Sequence, residues 1–263
     1  MVEMLYVSST LMWAYPVEAA VLIARQYGFA GMEVWAEHVW FYQSDPKEIQ
    51  QAAKRAGMKL TLHAASWDLN LCSLNQGIRK QSIEEVKRSL TLASEIGVKS
   101  VTIHPGRVTL SPRNRSWHEP ILIESVNELA YEARKKDCML SIEHIEPLPK
   151  EMIVTPQDVN QLRAALEYPT TTTFDIAHVP LSCSLTQFYR ELEGIDKIHV
   201  SDATATKLHV PLGTGEIDLP GIWPLLFEEK RPVVVEGFDD ARSLSQLKQN
   251  MVYLRQEDCV SFG

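Results

Sequence analysis

Residues 174–215 read FDIAHVPLSCSLTQFYRELEGIDKIHVSDATATKLHVPLGTG. The apolar run Thr172 to Asp175 ends on a carboxylate and is followed three residues later by His178, while Leu185 to Leu192 has helical spacing. A second run, Ile198 to Ser201, holds His199, and a Pro-Leu-Gly-Thr-Gly turn follows His209. Run, helix and run in this order describe two strands joined by a crossover, which must lie parallel. Asp175, His178, His199 and His209 also place four acid/base or metal-competent side chains within 35 positions.

The same unit recurs in both directions. Short β-like runs occupy Leu5 to Ser8, Met32 to Trp35, Leu60 to His63, Ser100 to His104, Met139 to Glu143 and Val233 to Glu236, making eight with the two above. Helical periodicity falls between them at Val17 to Tyr27, Pro46 to Ala56, Arg79 to Ile96, Pro120 to Lys135 and Pro156 to Leu166. Gly28, Gly57 and Gly97 stand where helices should stop, and Ser82 with Glu85 resembles a capping box. Eight alternating units in 263 residues predict an α/β fold, a single (β/α)8 TIM barrel over residues 1–263 with right-handed crossovers. A doubly wound sheet is the alternative, although no GxGxxG follows the first run as a dinucleotide fold requires.

Composition narrows the function. Hydrophobic residues at 45% and charged residues at 23% are ordinary for a globular chain, and the net charge of −8 disfavours duplex nucleic acid or an anionic membrane as partner. No apolar run approaches membrane-spanning length, and MVEMLYVSST lacks the basic start of a signal peptide. Cys72, Cys138, Cys183 and Cys259 are far apart without CxxC spacing, so they read as reduced structural thiols of a cytoplasmic protein.

The ends of the runs carry the chemistry. Glu33, His63, His104, Glu143, Asp175, His199 and Glu236 lie in or just after successive runs, and in a barrel these ends converge on one rim. Glu143, Asp175 and Glu236 with His199 form an oxygen-rich set suited to a divalent ion of the Mn, Mg or Co type, with Zn competitive if more histidines join. Without a cation, three convergent carboxylates would repel one another.

The segments GFAGMEVW (28–35), LTLHAASWDLNLCS (60–73), ASEIGVKSVTIHPG (93–106), LSIEH (140–144), FDIAH (174–178), KIHVSDA (197–203), LHVPLGTGEID (208–218) and VVVEGF (233–238) resemble the xylose-isomerase-like barrel superfamily. The resemblance implies a metal-dependent sugar isomerase or epimerase working by enediolate proton transfer. Glu143, Asp175, His199 and Glu236 would be metal ligands, Glu143 and Glu236 would double as catalytic bases, and His178 would bind a substrate hydroxyl. It equally brings in the endonuclease IV group, zinc phosphodiesterases of abasic DNA, whose larger ligand set would add His63, His104, His178 and His209 as a second site. That group has an Asp two residues before its counterpart of His209, where this chain has Lys207, and epimerases and nucleases alike commonly have Asn at the position of His144.

On the sugar reading His63 and His104 line the substrate site. Trp13, Tyr15, Trp35, Trp40 and Trp67 fall in or near rim loops, where they line a polyol pocket, pack ordinarily, or form a lid between subunits of a homo-oligomer. The loop 106–117 gathers Arg107, Arg113 and Arg115, with Arg107 as the candidate contact to an anionic substrate group.

Overall fold

A computed structural model describes residues 2–256. Eight parallel strands close into a barrel in sequence order: β1 (Leu5–Ser8), β2 (Gly31–Trp35), β3 (Lys59–His63), β4 (Ser100–Ile103), β5 (Met139–Glu143), β6 (Thr171–Asp175), β7 (Ile195–Val200) and β8 (Val233–Val235). The helices are α1 (Val17–Gln26), α2 (Ala36–Tyr42), α3 (Pro46–Ala56), α4 (Gln76–Ile96), α5 (Arg115–Lys135), α6 (Pro156–Ala165), α7 (Leu185–Glu191), α8 (Leu219–Leu226) and α9 (Ser245–Gln256). They bury their apolar stripes against the outer face of the strands, as Ile49, Ala52 and Ala53 do for α3. The eight expected strands are all present, and the doubly wound alternative is excluded by pairing of β1 with β8.

Local chemistry explains the boundaries. Asp45 caps α3 through Lys47 N–H, Thr155 and Asp158 form a capping box on α6, and Gly57 and Gly97 end α3 and α4 in the left-handed region. The capping box expected at Ser82 is absent. Helix α4 begins at Gln76 under an Asn75 cap, and Ser82 lies inside it with its hydroxyl donating to Ile78 O. Helix α5 likewise starts at Arg115 and carries Pro120 within it.

Helices α2, α8 and α9 were not expected from the sequence. Helix α2 follows β2 without a loop, and α8 contains Pro220, Gly221 and Pro224. In α9 the stripe Leu247, Met251 and Leu254 is buried and has helical spacing, a signal that was open to reading.

Cys72 and Cys138 are buried and Cys183 is exposed, all three unpaired, while Cys259 lies outside the described residues. No described helix is long and apolar enough to cross a membrane.

Candidate active site

The barrel delivers the ionisable side chains to one rim. His63, Glu143 and Asp175 are the last residues of β3, β5 and β6; His199 is the penultimate residue of β7; His104 and Glu236 follow β4 and β8 directly. Parallel register sets Asp175 opposite His199 and Trp35 opposite His63. Glu33 lies deeper, in the middle of β2.

Glu143 is the hub. Its Oε1 lies 3.1 Å from His199 Nδ1, and its Oε2 lies 3.3 Å from His63 Nε2 and 3.2 Å from His104 Nε2. His199 Nδ1 meets Glu236 Oε1 at the same 3.1 Å. On the other side, Asp175 Oδ2 is 3.5 Å from His178 Nε2. The two oxygens of one carboxylate therefore face two ligand groups, one of His63 and His104 and one of Asp175 and His199. A third group consists of Asp175, His178 and His209, and a fourth, deeper one of Glu33, His199 and Glu236.

Backbone acceptors orient the rings. His63 Nδ1 is 2.8 Å from Ala64 O, and His178 Nδ1 is 2.9 Å from His144 O. Each ring therefore donates Nδ1–H to a carbonyl and turns Nε2 into the site, toward Glu143 for His63 and toward Asp175 for His178. His144 is itself fully buried: its Nε2 accepts from Asp175 N–H at 3.2 Å, and burial, with the neighbouring His178, pushes its pKa down to about 3. It is a neutral support for the β6 end and not a contact to substrate.

Charge is unevenly shared. Burial alone would raise Glu143, but His199, His104 and His63 hold its carboxyl well below the usual range. Burial raises Glu236 well above that range, with Asp175, Glu143 and Glu33 adding repulsion that His199 only partly offsets. Burial would lower His199, yet the surrounding Glu236, Glu33 and Glu143 raise it well above its ordinary value. Asp175 Oδ2 and Glu236 Oε1 are buried without any hydrogen-bond partner. Orphaned carboxylate oxygens beside an imidazole nitrogen are the donor set a divalent cation needs, and burial of this much negative charge is unfavourable without one.

The site opens into a cavity lined by Thr10, Trp35, Trp67, Phe238 and the residues around Glu143 and Glu236. No lysine or arginine among the described residues lines it. Trp35 stacks on His63 with ring centroids 3.9 Å apart. Trp67 and Phe238 are 46% and 50% exposed at the mouth.

These positions sort the remaining candidates. Trp13 is only 8% exposed and does not line the cavity; it packs on His38 and supports Trp67 and Phe238 from behind. Trp40 lies under the Arg88 guanidinium on a lateral face, and Tyr15 donates to Arg242 O. Arg107 lines a neighbouring pocket with Glu146 and Glu151, and Arg115 is taken by Glu119 and Asp158. Lys207 sits on an exposed turn closed by Thr204. Phe238 and Lys197 were missed altogether. Lys197 was visible as the inward neighbour of His199 two positions along the same strand.

Residues 21–257 match the xylose isomerase-like TIM barrel family. The chain belongs to that family. Within the family's reach, an uncharacterised protein of Methanocaldococcus jannaschii is 26% identical over 219 residues, 81% of this chain and 79% of its own length. Among solved structures, 3-keto-D-glucoside 4-epimerase from E. coli superposes with a TM-score of 0.77 at 18% identity, covering 96% of this chain and 99% of that one. D-psicose 3-epimerase from Clostridium cellulolyticum H10 gives 0.79 at 16% identity, covering 97% and 98%. At such identities the likeness establishes a shared fold.

Proposed function

We propose that the protein is a divalent-metal-dependent isomerase or epimerase of a neutral sugar, polyol or sugar derivative. The observation that carries this reading is the pair of glutamates meeting one nitrogen of His199, Glu143 and Glu236 each 3.1 Å from Nδ1. Glu143, Asp175, His199 and Glu236 would hold the ion. Bound there, it would supply electrophilic stabilisation of the negative charge that develops when a C–H beside a carbonyl is deprotonated.

The remaining work falls to the chain. One glutamate removes the proton and the other returns it, giving an enediolate between two general acid/base steps. His178, His63 and His104 present Nε2 atoms to substrate oxygens. Trp35, Trp67 and Phe238 offer flat apolar faces to the sugar's C–H surface and reduce the water around the transferring proton. A cavity without a lysine or arginine favours an unphosphorylated substrate. Incubation of the manganese-loaded protein with free ketoses, D-tagatose and D-psicose among them, in D2O tests this. Deuterium should enter the carbon beside the carbonyl; no exchange with any ketose would remove the reading.

The three ligand groups around Glu143 and Asp175 favour a second reading, a zinc phosphodiesterase acting on abasic DNA. The net charge of −8 works against it, since neutralising phosphates provides most of the affinity for DNA. It predicts two or three bound zinc ions and nicking of an abasic duplex; one ion and an intact duplex would reject it.

A further inference from the structure

His199 Nδ1 is hydrogen-bonded to Glu143 Oε1 and lies 3.1 Å from Glu236 Oε1, so Nδ1 can ligate a cation only when it gives up its proton and the ring keeps one on Nε2. Nε2 lies 2.7 Å from Glu33 Oε2. The pair is out of line for a hydrogen bond, and neither atom has another partner. Glu33 is wholly buried in the middle of β2, and its Oε1 is ion-paired with Lys197 Nζ and accepts from Thr61 Oγ1 at 3.2 Å.

Lys197 is equally buried, two residues before His199 on the same face of β7, and donates to Thr102 Oγ1 at 2.7 Å. From there hydroxyls continue the chain: Thr102 to Thr173 at 3.0 Å, Thr173 to Ser141 at 2.7 Å, and Ser141 to Asp196 at 2.7 Å. A bulge makes the last contact. Thr172 pairs with Ile195 and Thr173 with Lys197, so Asp196 has no partner on β6, and its carboxylate accepts from Ser100 and Ser141 instead. A polar column thus occupies barrel space that (β/α)8 folds ordinarily fill with branched aliphatic layers.

A buried ion pair is a poor device for stability, because aliphatic side chains of similar volume serve as well or better. Its retention directly beneath a ligand histidine calls for another role. We propose that Glu33, held by Lys197, is the positioning residue of His199: its carboxylate keeps the proton on Nε2 and so presents Nδ1 as a ligand atom to the cation. The inference rests on the metal-site reading above. Lys197 Nζ and Thr61 Oγ1 both engage Glu33 Oε1, which leaves Oε2 as the oxygen facing His199 Nε2. Removing the acceptor would leave the ring free to rotate or to carry its proton on Nδ1.

The experiment compares wild type with Glu33→Gln and with the double variant Glu33→Leu/Lys197→Met, which replaces the pair by aliphatic side chains. Mn2+ affinity is read by competition with a fluorescent chelator, and metal-free melting by circular dichroism. The double variant, which lacks any acceptor, should bind Mn2+ about 10- to 100-fold more weakly and melt close to wild type, and Glu33→Gln, whose amide oxygen still accepts, should weaken binding less. A double variant that folds and binds Mn2+ like wild type would overturn the proposal and leave the metal site standing; a wild type that binds no divalent ion would overturn both. If neither variant folds, 15N NMR of the zinc-loaded wild type decides. Coordination of His199 through Nδ1 with Nε2 protonated supports the proposal, and coordination through Nε2 defeats it.

Discussion

Single residues show how burial sets chemistry here. His38 is wholly buried against Trp13, with Nε2 2.9 Å from Tyr15 O, and burial lowers its pKa to about 4. The unfolded chain takes up a proton on this residue near pH 6.5 whereas the folded protein does not, so stability is lost as pH falls from about 6.5 to about 4. His38→Gln can still donate to Tyr15 O and has no proton to gain. Its melting temperature should therefore fall less between pH 7 and pH 4.5 than that of wild type; equal falls would mean His38 does not carry this dependence. Burial likewise pushes the Cys72 thiol up to about 12. Iodoacetamide at pH 8 should modify exposed Cys183 and spare Cys72 in the native protein, as peptide mapping can verify. Alkylation of Cys72 at the rate of Cys183 would refute that.

At the scale of elements, helix ends and strand ends play different parts. Gly57 closes α3 at φ +64°, and a Cβ added there would meet nothing within 4 Å, so Gly57→Ala tests backbone strain alone. It should cost about 1–2 kcal/mol and lower the melting temperature by a few degrees; an unchanged melt would show that the turn relaxes freely. Strands and most helices were legible because period-two and period-3.6 patterns are local. Helix α2 was not, since AEHVWFY follows β2 with no intervening turn residue, and α8 was hidden by its two prolines. The strand-end residues were equally legible, because every parallel strand points its carboxyl end to the same rim. Side-chain direction was not. Trp13 and Trp67 look alike in sequence, yet one is the buried backing and the other the wall of the cavity. The bulge that turns Asp196 toward Ser100 and Ser141 depends on the register of β6 against β7, which no local pattern encodes.

At the scale of the molecule, the barrel brings Glu33, Glu143, Asp175 and Glu236 together in a buried space with Lys197 and His199. A metal-free protein carries that concentration of charge as a cost, and a bound cation would offset it. Mn2+ at 100 times its dissociation constant should add about 2.7 kcal/mol, raising the melting temperature by roughly 5–10 °C, and a chelator should reverse the gain; a melt indifferent to Mn2+ would contradict the metal site. The central claim is proton transfer between Glu143 and Glu236. Its most direct test is deuterium incorporation from D2O into a ketose by the manganese-loaded protein, comparing wild type with Glu143→Gln and Glu236→Gln. The account predicts exchange by wild type and its loss by about 100-fold or more in each folded variant; exchange that survives both substitutions would contradict it.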